Sequence, residues 1–472
     1  MKTKPLTLAM LALPLALGGC MVGPDYVRPS VRVPTTYQAM EGWKFAQPSD
    51  DAPRGNWWEA YNDPQLDALI AQVDVDNQNI ALAEAKLRQA NAATQAARAA
   101  LWPLLDLNAS ALRNNTSSQL TGRSTNAAYN VALGASWEPD LWGGIRRTIE
   151  SAGDTGQATA ADLANVRLVT QATLAQNYFL LRVDDAQIQL LKDTVDAYQK
   201  SLTLTQNQYA AGIVARGDVA QAEAQLKSTQ ASLYDAQLSR AQLEHAIAVL
   251  VGKPPAELSI AAQPTLAAVY PDIPLAVPST LLERRPDIAG AERRAASANA
   301  QIGVAQAAFF PTVTLSANGG LQSSVIGSLL SLPSRYWALG ASLAQTIFDA
   351  GLRSAQKDEA IASYDQTVAT YRQTVLSGFQ DVEDNLAALS LLAQESIYQD
   401  AAVKAAKESA AIAMNQYRAG TANYLAVVVL QANALSAERT ALAITARRLA
   451  ASVGLVKALG GGWSATQLAS AQ

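Results

Sequence analysis

Cysteine is almost missing: Cys20 is the only one in 472 residues, so no disulfide can form within the chain. Histidine is as scarce, with His245 alone. One thiol and one imidazole leave no His/Cys metal cluster and no Ser-His-Asp or Cys-His arrangement for catalysis, and His245 reads as a packed or interfacial helix residue. Five methionines add few soft ligands for copper or silver. The balance of charge is not basic: the formal net charge is −4, whereas nucleic-acid binding needs a positive footprint. The carboxylates are scattered over helix faces, where solvation and ion pairing are their ordinary work. Gly460-Gly461-Gly462 follows a helical pattern instead of opening one after a strand, so it reads as a helix terminator and not a phosphate loop. Nothing here points to an enzyme. After the N-terminal segment no apolar run reaches about 18 residues, the length a transmembrane helix requires. If the chain spans a membrane, it must use strands in a closed barrel.

What is present begins with a targeting segment. Lys2 and Lys4 precede a short apolar stretch, Leu6 to Leu17, and then Leu17-Gly18-Gly19-Cys20. A stretch this short is a signal region to be removed rather than a span. Small residues directly before a cysteine make a bacterial lipoprotein signal, predicting cleavage after residue 19, a thioether-linked diacylglycerol on Cys20 and an acyl chain on its new amino group. Met21, not aspartate, follows, which fits release to the outer membrane. No other cofactor is expected.

The chain is also duplicated. At an offset of 208, Ile80-Ala81-Leu82-Ala83-Glu84 returns as Ile288-Ala289-Gly290-Ala291-Glu292. Ala99-Ala100-Leu101-Trp102-Pro103 returns as Ala307-Ala308-Phe309-Phe310-Pro311, and Asn207-Gln208-Tyr209-Ala210-Ala211-Gly212 as Asn415-Gln416-Tyr417-Arg418-Ala419-Gly420. The predicted layout is a signal (1–19), an N-terminal lipid-anchored segment (20–63), a first repeat (64–252), a proline-rich connector (253–286), a second repeat (287–462) and a tail (463–472). Each repeat reads helix, strand, strand, long helix, turn, helix.

The strands alternate. Leu105, Leu107, Ala109 and Ala111 oppose Asp106, Asn108 and Ser110; Tyr129, Val131, Leu133, Ala135 and Trp137 oppose Asn130, Gly134, Ser136 and Glu138. Val313, Leu315 and Ala317 oppose Thr312, Thr314, Ser316 and Asn318; Trp337, Leu339, Ala341 and Leu343 oppose Gly340 and Ser342. Period two with one apolar and one polar face suits a membrane barrel, and equally a half-buried soluble sheet. Asn114 to Asn126 and Ser323 to Ser334, rich in Asn, Ser and Thr, are expected to be the connecting loops. Four strands cannot close around a channel, and open edges are not tolerated in lipid. Oligomerisation is therefore required, with three chains and twelve strands the natural even-numbered solution.

The helices are long. Gly144 to Tyr209 and Ala350 to Tyr417 contain no proline, and about 65 residues at ~1.5 Å each extend to about 100 Å. Alanine is abundant along them, and Leu174, Tyr178, Leu181, Ile188 and Leu191 form a heptad-like stripe suited to coiled-coil packing. Asp63-Pro64 has the form of a helix start, cap then first-turn proline. Arg285-Pro286 predicts a helix opening at the proline, with Asp287 and Glu292 placed to favour its dipole. Tyr209 to Gly212 and Tyr417 to Gly420 have the form of helix ends.

Gly23-Pro24-Asp25-Tyr26-Val27-Arg28-Pro29 after Cys20, Trp57-Trp58 ahead of Tyr61-Asn62-Asp63-Pro64-Gln65-Leu66, Leu281 to Ile288, and the two Tyr-x-x-Gly turns together resemble the TolC-like outer-membrane efflux factor family, most closely its NodT/OprM-type lipoproteins. The match covers nearly the whole mature chain. The resemblance implies a mainly α fold with a membrane β portion: a homotrimer with a twelve-stranded barrel, four strands per chain, on a long α-helical barrel. It implies a place in the outer membrane of a Gram-negative bacterium, lipid-anchored and extending into the periplasm. It implies docking to a periplasmic adaptor and an inner-membrane transporter, often of the resistance-nodulation-division type, and passive conduction of drugs or other small toxic compounds. Type I protein secretion and metal efflux are alternatives within the same fold; a lipid-anchored coiled-coil protein without a pore is an alternative outside it.

By the same resemblance, Tyr209, Gly212, Tyr417 and Gly420 lie at the periplasmic tip, where an adaptor grips and the pore closes. Relatives often carry aspartates after the second tip glycine; here the matching positions are Ala426 and Val429, and the first copy has Arg216 and Asp218. The expectation is an apolar gate of Leu425 and Val429, with charge supplied by Asp218.

Overall fold

The computed structural model describes residues 21–34, 36–38, 56–118, 122–266, 268–271 and 284–463. Cys20 and the signal lie outside the described residues. The chain forms two compact units that cut across the sequence repeats: one takes Met1–Ser30, Lys86–Ala160 and Gly290–Arg372, the other Val31–Ala85, Ala161–Ala289 and Gln373–Gln472.

The duplication survives residue for residue in the helices. After α1 (Pro64–Asp76) come α2 (Gln78–Ala99), α3 (Gly144–Ala210) and α4 (Arg216–Leu250). Adding 208 to each boundary of these three yields α5 (Pro286–Ala307), α6 (Leu352–Arg418) and α7 (Tyr424–Ala458). Both long helices therefore have 67 residues.

Their boundaries follow from local chemistry. Asp63 caps α1, its carboxylate accepting from the Gln65 and Leu66 amides, with Pro64 at the first helical position. Asn77 accepts from the Asn79 and Ile80 amides at the start of α2 and donates through Nδ2 to the Leu250 carbonyl at 2.7 Å. At the equivalent place in the second copy, Arg285 donates to the Ala458 carbonyl at 3.3 Å. The residue has changed, but its attachment to the end of a later helix has not. Asp287 lies in the first turn of α5, where its Oδ1 accepts from the Ile288 amide at 2.9 Å, and both acids have a cation partner as well. Asp287 binds the Arg285 guanidinium at 2.7 Å, and Glu292 pairs with Arg293 and accepts from Tyr26. A partner cation at hydrogen-bonding distance adds to the weaker field of the helix end.

Helices α3, α4, α6 and α7 end alike. Gly212, Gly252, Gly420 and Gly460 take φ of 74°, 73°, 74° and 90°. In each case the next residue's amide donates five residues back, as Ile213 does to Gln208 and Thr421 to Gln416, both at 2.9 Å. This is the left-handed cap that glycine adopts without steric cost.

The second unit holds the main core. Trp57, Trp58 and Tyr61, on a 3-10 turn, pack with Leu66, Ile70 and Val73 of α1 against Leu174, Tyr178 and Leu181 of α3. All five residues of the heptad stripe on α3 are buried.

The first unit carries the sheet: β1 (Leu104–Ser118), β2 (Gly122–Trp137), β3 (Thr312–Ser323) and β4 (Arg335–Ala344), antiparallel in sequence order. Asn114 to Asn126 is not a loop in the main. The β1–β2 ladder continues through Asn115↔Thr125 and Thr116↔Ser124 to Ser118↔Gly122. Polar residues lower the hydrophobic signal of a strand without removing its ability to pair, and Asn115 Nδ2 donates across the ladder to Thr125 Oγ1 at 3.2 Å. Ser323 to Ser334 does connect β3 and β4, through two short 3-10 turns.

One partly buried acid in this unit makes a pH prediction. Asp154 on α3 lies 3.4 Å from Arg293 and is pushed up to about 6, by burial first and then by Glu150 and Glu292, against the opposing pull of Arg293. The folded state thus holds this proton more tightly than the unfolded chain. Its contribution is full below about pH 4 and is lost as pH rises through about 6. Asp154→Asn is expected to flatten the fall in stability between those values, as measured by denaturation midpoints across pH; an unchanged slope would contradict it.

Candidate functional site

No helix among the described residues is long and apolar enough to cross a membrane. The sheet is the element suited to lipid. Its register collects the four alternating patterns on one side. Leu107, Leu133, Gly319 and Trp337 form one cross-strand row; Leu105, Ala135, Ala317 and Leu339 form the next; Trp137, Leu315 and Ala341 continue it. This face is open to the surroundings, with Leu107 at 71% and Leu339 at 74% exposure. So large an exposed apolar surface marks a contact with lipid or protein.

The opposite face is polar and tightly fitted. Asn108 donates to Asp106, and the Tyr336 hydroxyl donates to Asn130 Oδ1 at 3.0 Å. A Cβ on Gly134 would lie 2.8 Å from Asp106 Oδ1 and 3.2 Å from Asn318 Oδ1, so the glycine leaves space for these side chains. Among the described residues, β1 and β4 each pair on one side only.

The second locus is the pair of helix–helix turns in the other unit. Gly212 and Gly420 end α3 and α6 in equivalent left-handed turns, but the two tyrosines differ. Tyr209 is exposed. Tyr417 is buried, tilted against Tyr424 with ring centroids 5.1 Å apart, and its hydroxyl is 3.3 Å from Thr205 Oγ1. Tyr198 and Leu202 of α3, Leu226 of α4 and Val427 of α7 complete the cluster. Burial raises both hydroxyls, Tyr424 to about 12, and the nearby Asp218 raises them further. Asp218 is half-buried in the first turn of α4. Asn423 caps α7 through the Ala426 amide at 3.0 Å. Leu425 and Val429, one turn apart, share a face of α7 and are about half exposed, at 51% and 48%.

A charged cluster in the second unit was not anticipated. Asp185 of α3 binds Arg182 at 2.9 Å and Arg240 of α4 at 2.6 Å, and accepts from the Gln263 amide at 3.0 Å. Arg182 also donates to the Ala261 carbonyl at 2.8 Å, and Arg240 to the Ile260 carbonyl at 2.6 Å. The connector after α4 is therefore tied to two helices through buried charge. A signal was present: Asp185 falls seven residues after Tyr178, where the apolar stripe calls for a hydrophobe.

Residues 69–253 match the outer membrane efflux protein family, and residues 277–461 match it again, at the 208-residue offset that separates the helices. This chain belongs to the outer membrane efflux protein family. The pyoverdine export outer membrane protein OpmQ of Pseudomonas aeruginosa is 31% identical over 466 residues, 97% of each chain. The solvent efflux pump outer membrane protein SrpC of Pseudomonas putida is 32% identical, over 98% of this chain and 99% of its own. The solved outer-membrane channel OprN superposes with a TM-score of 0.88 at 30% identity, over 94% of this chain and all of that one. This efflux protein has the TolC-like channel fold and belongs in the outer membrane of a Gram-negative cell. Its family consists of channels, not enzymes. The sheet is its membrane element.

Proposed function

We propose that this efflux channel works as a homotrimer in which three four-strand sheets close into a twelve-strand barrel. The observation that carries this is a sheet with one exposed apolar face and two strands, β1 and β4, each open on one side among the described residues. In lipid such edges must be paired, and β4 of one copy meets β1 of the next in the antiparallel sense the sheet already uses. The polar face then lines the pore. Substrate crosses passively, with energy supplied by an inner-membrane transporter, of the resistance-nodulation-division class, through a periplasmic adaptor. The cargo class is small organic compounds, for which relatives named for pyoverdine and solvents are the guide. Cys20 carries the diacylglycerol and N-acyl chains.

The turns at Gly212 and Gly420 are the adaptor contact, and Tyr209, exposed where Tyr417 is enclosed, is the tyrosine available to it. Leu425 and Val429 close the resting pore as an apolar ring that dewets, while Asp218 acts from behind, on the tyrosine cluster. Purified protein in planar bilayers should form trimers of low resting conductance. Leu425→Ser with Val429→Ser should raise that conductance several-fold. An unchanged resting current in the double variant rules out the apolar gate; a stable monomer that never conducts rules out the barrel.

A further inference from the structure

The Gly23-Pro24-Asp25-Tyr26 stretch is built into the first unit along its whole length. The Val22 amide donates to the Trp142 carbonyl at 3.0 Å. Arg147, near the start of α3, donates to the Val22 and Gly23 carbonyls at 3.3 Å, to Asp25 Oδ1 at 2.8 Å and to Glu150 Oε2 at 2.8 Å. Asn299 of α5 donates to the Pro24 carbonyl at 2.9 Å, and the Tyr26 hydroxyl donates to Glu292 Oε1 at 2.8 Å. Five consecutive residues are thus tied to helices from both repeats.

The surroundings are shaped to admit them. Gly23 takes φ of 95°, and a Cβ there would overlap the backbone of Gly303. A Cβ on Gly143 would lie 2.8 Å from Met21 Cα, and one on Gly303 would lie 2.8 Å from the Arg147 side chain. The Arg147 side chain is 1% exposed. Were this stretch to detach, a buried guanidinium would lose three of its four acceptors, the costly case for a charge in the interior. A segment next to a chain terminus usually frays; with residues 1–19 removed this stretch would be such a segment, and it has a lock.

The place of attachment is informative. Trp142, at the β2–α3 junction, stacks on Phe310 at 4.8 Å and donates to the Pro311 carbonyl, at the α5–β3 junction, at 2.7 Å. Met21 therefore sits where helix gives way to strand, and residue 20 is one peptide bond away, about 3.8 Å between Cα atoms. Trp102 and Leu104, at the foot of β1, are exposed at 74% and 68%.

We propose that residues 21–26 form a strap, locked by Arg147, that holds the acylated start of the chain at the helix-to-strand junctions and so delivers its lipid to the bilayer leaflet entered by the foot of the sheet. This rests on the reading of Cys20 as acylated. With the strap docked, the leash from lipid to sheet foot is a single residue. Released through residue 30, it would span about 17 Å, comparable with the roughly 15 Å depth of one leaflet's hydrocarbon. The lipid could then be inserted while the strands remain outside. Arg147 is a positioning residue that acts through the strap.

Two variants of the full-length protein test this. Twelve Gly/Ser residues inserted between Met21 and Val22 keep Met21 beside Cys20 and every strap hydrogen bond intact, yet lengthen the leash to about 19 Å. Arg147→Gln releases the strap itself. Formation of the heat-resistant oligomer in outer membranes, followed by pulse–chase, should slow at least about threefold in both, because the effective concentration of strands at the bilayer falls with leash length. Hydrogen exchange at the Val22 amide should stay slow in the insertion variant and become fast in Arg147→Gln. Intact mass reports acylation separately. An insertion variant that is acylated, protected at Val22 and assembled at the parental rate overturns the strap proposal and leaves the acylation reading standing. A parent chain without acyl mass overturns that reading, and the strap proposal with it.

Discussion

Asp185→Ala is expected to destabilise the efflux protein by about 3–5 kcal/mol, the range for removing one partner of a buried ion pair. The Arg182 side chain is 4% exposed and that of Arg240 16%. Without Asp185 both guanidiniums remain, held by the Ala261 and Ile260 carbonyls and, for Arg240, by Glu244 at 3.1 Å, and the Gln263 amide loses its acceptor. The intact cluster need not be a strong net stabiliser, since removing its charges from water costs nearly as much as their attraction returns. Breaking it from one side is what is expensive. The Arg447–Glu395 pair on the same unit is a suitable control. It is long, at 3.6 Å, with side chains 63% and 46% exposed, so Glu395→Ala should change stability by less than about 1 kcal/mol. Denaturation midpoints of the detergent-solubilised protein measure both. Equal effects from the two substitutions would show that burial of the Asp185 cluster does not govern its energetics.

Leu339→Arg and Ala338→Arg should have opposite fates, although the residues are adjacent on β4. Leu339 belongs to the central apolar row with Leu105, Ala135 and Ala317; Ala338 pairs with Asn318 on the polar face. A guanidinium facing lipid at mid-depth costs about 2–4 kcal/mol, and a trimer would bear that cost in each of its copies. Leu339→Arg should therefore be nearly absent from outer membranes as heat-resistant oligomer. Ala338→Arg should assemble, and its added charge should shift the ion selectivity of the pore. Loss of assembly in Ala338→Arg with normal assembly in Leu339→Arg would reverse the assignment of the two faces.

Much of this architecture was legible in the residues because it repeats. Proline-free stretches bounded by glycine read as long helices, and the shared offset placed the second copy from the first. Alternation located all four strands. The Asn- and Ser-rich end of the first hairpin was misread as a loop, because hydrophobic periodicity is silent where both faces of a ribbon are polar, whereas backbone pairing is not. The tip tyrosines read as equivalent from their matching motifs. Their difference comes from what surrounds them: Tyr424 stands where the first copy has Arg216, and it encloses Tyr417 alone.

The sequence by itself determined the long helices, the alternating parts of the four strands, the duplication and the family, since each depends on local propensity or on a period along the chain. Tertiary structure alone decided which residues of distant segments meet. It put the four apolar strand faces on one side, turned Asp185 into a bridge between two arginines, and docked Gly23 to Tyr26 under Arg147. A charged side chain looks the same in a sequence whether water or a buried partner will satisfy it, and only the packing of the folded chain sets which of the two it meets.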